Sequence, residues 1–175
     1  MKIFVCNRTI DSEATDRVLD ELLSIAGESI ATLRETEHSE NWKERVEEQF
    51  KEVDFVVFFV GEETFKSDPM KWEYAKAKFL NKQIVGIRLP SACDNSVMFC
   101  QGFPVFKKPD NCWSYLEKTY EEDRQLLLEQ YKIMVGSTEK VTDQRMRVNN
   151  LFFTVTSSIL SVSLVVGKSF EFSVV

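Results

Sequence analysis

The sequence predicts a doubly wound α/β domain over residues 1–110. After it come a helical stalk (111–147), a candidate transmembrane or assembly helix (148–167) and a short tail (168–175). Three observations predict this. Short β-prone runs alternate with helix-period runs through the first 110 residues, the pattern of βαβ units. One run, DFVVFFV at 54–60, is apolar at nearly every position, as a parallel strand covered on both faces must be. From Val148 to Gly167 the chain carries no charge at all.

The elements follow in order. KIFVC at 2–6 is β-prone. Asp11 or Ser12 then caps a helix with Val18, Leu19, Leu22, Leu23 and Ala26 on one face, and Gly27 stops it. Residues 29–33 form a weaker strand. Asn41, with Glu44 three residues on, has the capping-box pattern, and its helix aligns Trp42, Val46, Phe50 and Val53. After the 54–60 strand, Asp68-Pro69 opens a helix to about Leu80, with Trp72, Ala75 and Phe79 as its expected apolar stripe. IVGIRL at 84–89 is a further buried strand, and an edge strand is expected near 103–106, interrupted by Pro104.

Composition narrows the function. At 175 residues, 43% hydrophobic and a net charge of −6, the chain can bury a core and lacks a basic footprint for nucleic acid. A single histidine, His38, argues against His-based zinc sites and Ser-His or Cys-His catalysis. Cys6, Cys93, Cys100 and Cys112 contain no CxxC pair and read as reduced structural thiols, with no metal site expected. There is no GxGxxG or GxxxxGK[ST], so a bound nucleotide would be held without a Gly-rich cradle.

The chemistry concentrates at 60–80, VGEETFKSDPMKWEYAKAKFL. Glu62 and Glu63 follow a buried strand, where a switch-point crevice opens. Glu73 lies on a helix flank with Ala77 and Leu80. Bordered by small apolar residues and Trp72, it is either a partly desolvated carboxylate suited to acid–base work or cation stabilisation, or a solvated helix glutamate.

These residues resemble a family. KIFVC, then NWKERVEEQFKEVD leading into DFVVFFVGEETF, then KWEYAKAKFLNKQIVGIRL are similar to bacterial TIR-like domains, in particular the branch found in Thoeris-type antiphage defence. The resemblance covers about 1–110 and is most specific over 72–89. It implies a flavodoxin-like parallel sheet and chemistry on NAD+ as substrate: cleavage of the nicotinamide–ribose bond or cyclisation, with no cofactor or metal. The family glutamate falls on Glu73. Asn7 and Arg8, beyond the first strand, and Arg34, before Trp42, would line the same mouth and meet phosphates. Two departures stand out: Cys6-Asn7-Arg8 replaces a motif that often carries Ser, and the 34–41 loop lacks the usual Gly. They leave room for a TIR-like module that only binds a partner or nucleotide and gates a membrane assembly. A nucleoside deoxyribosyltransferase, attacking covalently through a glutamate, is a third reading.

In the C-terminal third, Asn111 caps a helix with Trp113, Leu116, Tyr120, Leu127, Tyr131 and Met134 near heptad spacing. A break is expected at Gly136-Ser137, with a second helix from about Thr138. The neutral stretch holds 11 apolar residues in 20, diluted by six hydroxyl residues, so it is a marginal span with helix–helix contact groups. EQYKIMVGSTEKVTDQRMRVNNLFFTVTSSILS resembles a junction into octameric membrane proteins of the RipA-named family, which have two spans. The expected outcome is a single anchor or a shortened form of a longer protein, assembling as a homo-oligomer through the TIR-like part and the tail. Lys140, Arg145 and Arg147 precede the span and only Lys168 follows it, which orients the domain to the cytoplasm of a bacterial inner membrane.

Overall fold

The computed structural model describes residues 1–35, 41–92 and 102–171, without the side chains of Phe65 and 167–171. His38, Cys93, Cys100 and most of the 34–41 loop lie outside the described residues.

The chain divides into two compact units, Met1–Asp123 and Arg124–Val175. In the first, β1 (Lys2–Cys6), β2 (Ala31–Leu33), β3 (Phe55–Val60), β4 (Gln83–Arg88) and β5 (Val105–Phe106) form one sheet in the order β2-β1-β3-β4-β5. Every pairing is parallel. This is the flavodoxin-like order, and all five expected strands fall in place. β3 is central and buried at all six positions, which explains its unbroken apolar run. Its side chains alternate into two cores: Phe55, Val57 and Phe59 on one face, Val56, Phe58 and Val60 on the other. Pro104 precedes the two-residue edge strand β5, where its missing N–H costs no ladder bond.

Helices α1 (Ser12–Ala26), α2 (Trp42–Glu52) and α3 (Asp68–Phe79) connect the strands. α1 ends at Gly27 with φ +60, as expected. α2 starts after Asn41, but no side-chain cap bond forms there, so the capping box of the sequence pattern is not made. α3 is capped one residue earlier than expected: the Ser67 hydroxyl accepts from the Met70 N–H at 3.4 Å, leaving Asp68 and Pro69 in the first turn.

The expected stripe on α3 is corrected too. Met70, Glu73 and Ala77 are its buried residues, whereas Ala75 is exposed and Phe79 is 77% exposed, beneath the Lys76 ammonium. Ala77 is buried against the core, and Phe79, two residues or about 200° further round the helix, falls on the opposite side.

The last helix, α4 (Pro109–Glu171), is continuous. The break expected at Gly136-Ser137 is absent. Ser137 and Thr138 hydroxyls donate to the carbonyls of Ile133 and Met134, local bonds compatible with helix, and one Gly costs only about 1 kcal/mol there. Within the first unit, Cys112 and Leu116 are buried in the core, with Trp113 and Tyr120 packed against it. From Pro109 to Val166 the helix is long and apolar enough to cross a membrane.

Candidate functional site

In this strand order the chain leaves β1 toward β2 on one side and returns to β3 on the other, so a crevice opens beyond the carboxyl ends of β1 and β3. A cavity of about 340 Å³ lies there, lined by Asn7–Ile10 after β1 and by Ser67, Pro69, Met70 and Glu73 of the α3 N-terminal half. The first turn of α3 contributes the positive end of a helix dipole to its wall.

Glu73 is the chemical centre of this cavity. It is 6% exposed, and its Oε2 is buried with no hydrogen-bond partner. Burial pushes its pKa from 4.5 up to about 7; a hydrogen bond with Cys6 opposes the rise, and the nearby Glu35 carboxylate adds to it. Of the two readings left open by periodicity, the partly desolvated carboxylate is the observed one. Cys6, 1% exposed at the end of β1, is the thiol against it; burial and the Glu73 charge raise that thiol well above its ordinary range. It is a weak hydrogen-bonding group here rather than a nucleophile. Glu35 is itself fixed by Arg45, whose Nε and Nη2 each donate at 3.0 Å to its two carboxylate oxygens.

The other expected residues divide. Asn7 and Arg8 line the cavity with Glu73. The Asn7 amide is already used: Nδ2 donates to the Arg8 carbonyl at 2.8 Å and Oδ1 accepts from Arg34 Nε at 2.8 Å. Arg34 sits behind Asn7, also donating to Ser12 Oγ and pairing with Asp16, and is not among the lining residues. Arg8 faces the cavity with a 3.6 Å ion pair to Glu63. Glu62 and Trp72 are outside the lining set. The Trp72 ring instead meets Trp42 edge-on at 5.0 Å, with Lys43 Nζ 5.6 Å from the Trp72 centroid.

The carboxylate side of the crevice is tightly built. A Cβ on Gly61 would lie 2.5 Å from Asp11 Oδ2, so a side chain after β3 would have to displace the Asp11 carboxylate. Asp11 Oδ2 is buried without a partner, and burial raises its pKa; Arg8 opposes the rise while Glu62 and Glu63 reinforce it. Among the described residues no group of His, Cys, Asp and Glu is arranged to hold a metal ion.

Thr9, Ile10, Ser67, Cys6 and Glu35 are site residues that sequence reasoning missed. Cys6 and Ser67 had a local signal, at a strand end and two residues before a helix-opening Pro. Glu35 had none, because its place depends on Arg45 across the intervening loop.

Residues 8–94 match the family model described as Thoeris protein ThsB, TIR-like domain. Over that range the chain is similar to a TIR-like domain. The match contains Glu73 and every lining residue of the cavity but Asn7, and ends before α4 and its junction with the neutral stretch. No curated protein matches this chain. Among solved structures, a 2-deoxyribosyltransferase from the psychrotolerant bacterium Bacillus psychrosaccharolyticus is similar over 65% of this chain and 90% of its own, at 14% identity and TM-score 0.44.

Proposed function

We propose that the TIR-like domain cleaves the nicotinamide–ribose bond of NAD+, releasing nicotinamide and either hydrolysing or cyclising the remainder, as a membrane-tethered effector of bacterial antiphage defence. The observation that carries this reading is Glu73: a carboxyl group 6% exposed, with an unpartnered Oε2, at a switch-point cavity within the Thoeris-type match.

The chemistry follows from the surroundings. As the nicotinamide bond breaks, positive charge develops on the ribose. An ionised Glu73 in a desolvated pocket stabilises that charge strongly, because little water screens it. Its free oxygen also accepts from ribose hydroxyls. Arg8 and the N-terminal turn of α3 supply positive potential for the phosphates, with Glu63 releasing Arg8 when a phosphate competes. Asn7 acts through shape, held by Arg34, rather than through free donors. The cavity is near the lower end of small-molecule sites, enough for the nicotinamide riboside end. Neither wall of this mechanism needs a metal or an ionised thiol.

The tether is α4, with Lys140, Arg145 and Arg147 on the cytoplasmic side of the neutral stretch and homo-oligomers forming through the domain and the tail. The test is incubation of concentrated full-length protein with NAD+, beside Glu73→Ala. Free nicotinamide from the former and none from the latter supports the enzyme. Nicotinamide from neither, even when clustered, replaces it with a module that binds a nucleotide or partner and gates the membrane assembly. The Cys6 departure at the site favours that second reading.

A further inference from the structure

α4 carries an apolar line that is exposed from Leu127 onward among the described residues. At seven-residue intervals it presents Trp113, Tyr120, Leu127, Met134, Val141, Val148, Val155 and Val162. The first two pack on the sheet domain's core. The rest are exposed: Leu127 66%, Met134 60%, Val141 49%, Val148 64%, Val155 48% and Val162 63%. A second line, four residues on from each, holds Tyr131, Thr138, Arg145, Phe152, Ile159 and Val166. Alternating steps of four and three residues make a seam with a period of 3.5, the repeat of a left-handed coiled coil.

The charges respect this seam. Between 125 and 144 the charged residues are Glu129, Lys132, Glu139, Lys140 and Asp143, and all five fall on the opposite side of the helix. The positions flanking the seam are Leu128, Gln130, Val135, Ser137, Thr142 and Gln144, all neutral. Lipid needs no 3.5-residue seam, and a soluble heteromeric partner is usually selected by flanking charges. Neutral flanks oppose no like charges when a helix meets its own copy.

We infer that α4 pairs with α4 of a second copy of this chain, as a parallel coiled coil running from Leu127 across the charged stretch and on through Val162. Parallel pairing is the form that lets both neutral stretches enter one membrane in the same direction. Arg145 is the one seam charge between 125 and 166; it fixes the register at a cost in stability, with its stem leaning out of the seam. The pairing stands independently of any reaction at Glu73.

Same-position disulfides test it, since they form only where two Cβ atoms come within about 4.5 Å. In membranes containing the full chain, oxidised Met134→Cys or Val141→Cys should give about tenfold more linked dimer than Glu139→Cys or Lys140→Cys. The unsubstituted chain sets the background. Equal yields from both faces, or no dimer above background from either, overturns the proposal. A second measurement uses sedimentation of the detergent-solubilised chain. Met134→Glu should weaken association and Arg145→Leu should strengthen it, each by about tenfold. Unchanged association in both also overturns the pairing.

Discussion

Residues 1–123 and the helix beyond them treat their apolar side chains in opposite ways. In the first unit Phe4, Phe50, Phe55, Phe58 and Phe59 are all 1% exposed or less. In the second, Phe152, Phe153, Leu160 and Leu164 are each more than 60% exposed. Both regions are rich in Phe, Leu and Val, so apolar residue types alone do not separate them. Topology does: a sheet with helices on both faces covers its own strands, whereas a lone helix has no second layer. The first unit covers its own apolar side chains, and the second leaves them exposed.

The largest expected effects test that contrast directly. Phe58→Ala should destabilise the sheet domain by about 3–5 kcal/mol, read from urea unfolding of the full chain. Leu160→Ala, the same kind of truncation in the other region, should leave that transition unmoved. If both substitutions shift it alike, the two regions share a core and the contrast fails.

Glu73 sharpens the comparison at a place where the first unit buries a carboxylate oxygen that it does not satisfy. With its pKa at about 7 against an ordinary 4.5, the folded state binds a proton more tightly than the unfolded state. That contribution is fully present below about pH 4.5 and is lost as pH rises through about 7. Glu73→Gln, which cannot ionise, should flatten this pH dependence and be more stable than wild type at pH 8, by about 3 kcal/mol at most. The same ionisation should raise nicotinamide release between pH 6 and 8, because the carboxylate is the form that stabilises a cation. A release rate that falls over that range would instead cast Glu73 as an acid.

Partition between membrane and water comes next. The full chain should remain in the pellet after carbonate extraction, and a chain ending at Glu139 should be soluble and less active. A full chain recovered in the supernatant would mean that 148–166 is covered by protein alone.

How much of this was legible follows the same division. The strands were readable because β3 is apolar throughout and its neighbours alternate with helix-period runs; parallel topology then follows from connection lengths. Glu73 stood out against Ala77 and Leu80 on its flank. Phe79 was misplaced because α3 is weakly amphipathic, and the face that it buries is that of Met70, Glu73 and Ala77. Arg34 was read as a mouth residue, yet its position behind Asn7 depends on Ser12 and Asp16 of α1, contacts that no local pattern encodes. Cys6 against Glu73 required the sheet register and the docking of α3 together.

The smallest expected effect concerns Gly136, where sequence and structure part most plainly. A glycine beside a serine reads as a hinge, yet α4 passes through it unbroken, and a Cβ there would meet nothing within 4 Å. It also falls on the charged side of the helix, with Glu129 and Asp143 seven residues away in either direction. Gly136→Ala should therefore stabilise the helix by about 0.5–1 kcal/mol, by removing backbone freedom from the unfolded chain without touching the seam. The measurement is helix loss by circular dichroism during denaturation of the detergent-solubilised chain, with association and nicotinamide release recorded in parallel. A stiffer helix with both other readouts unchanged fits a continuous rod. Loss of activity with helicity intact would show that the protein bends at Gly136 while working, and would return the hinge to the second region.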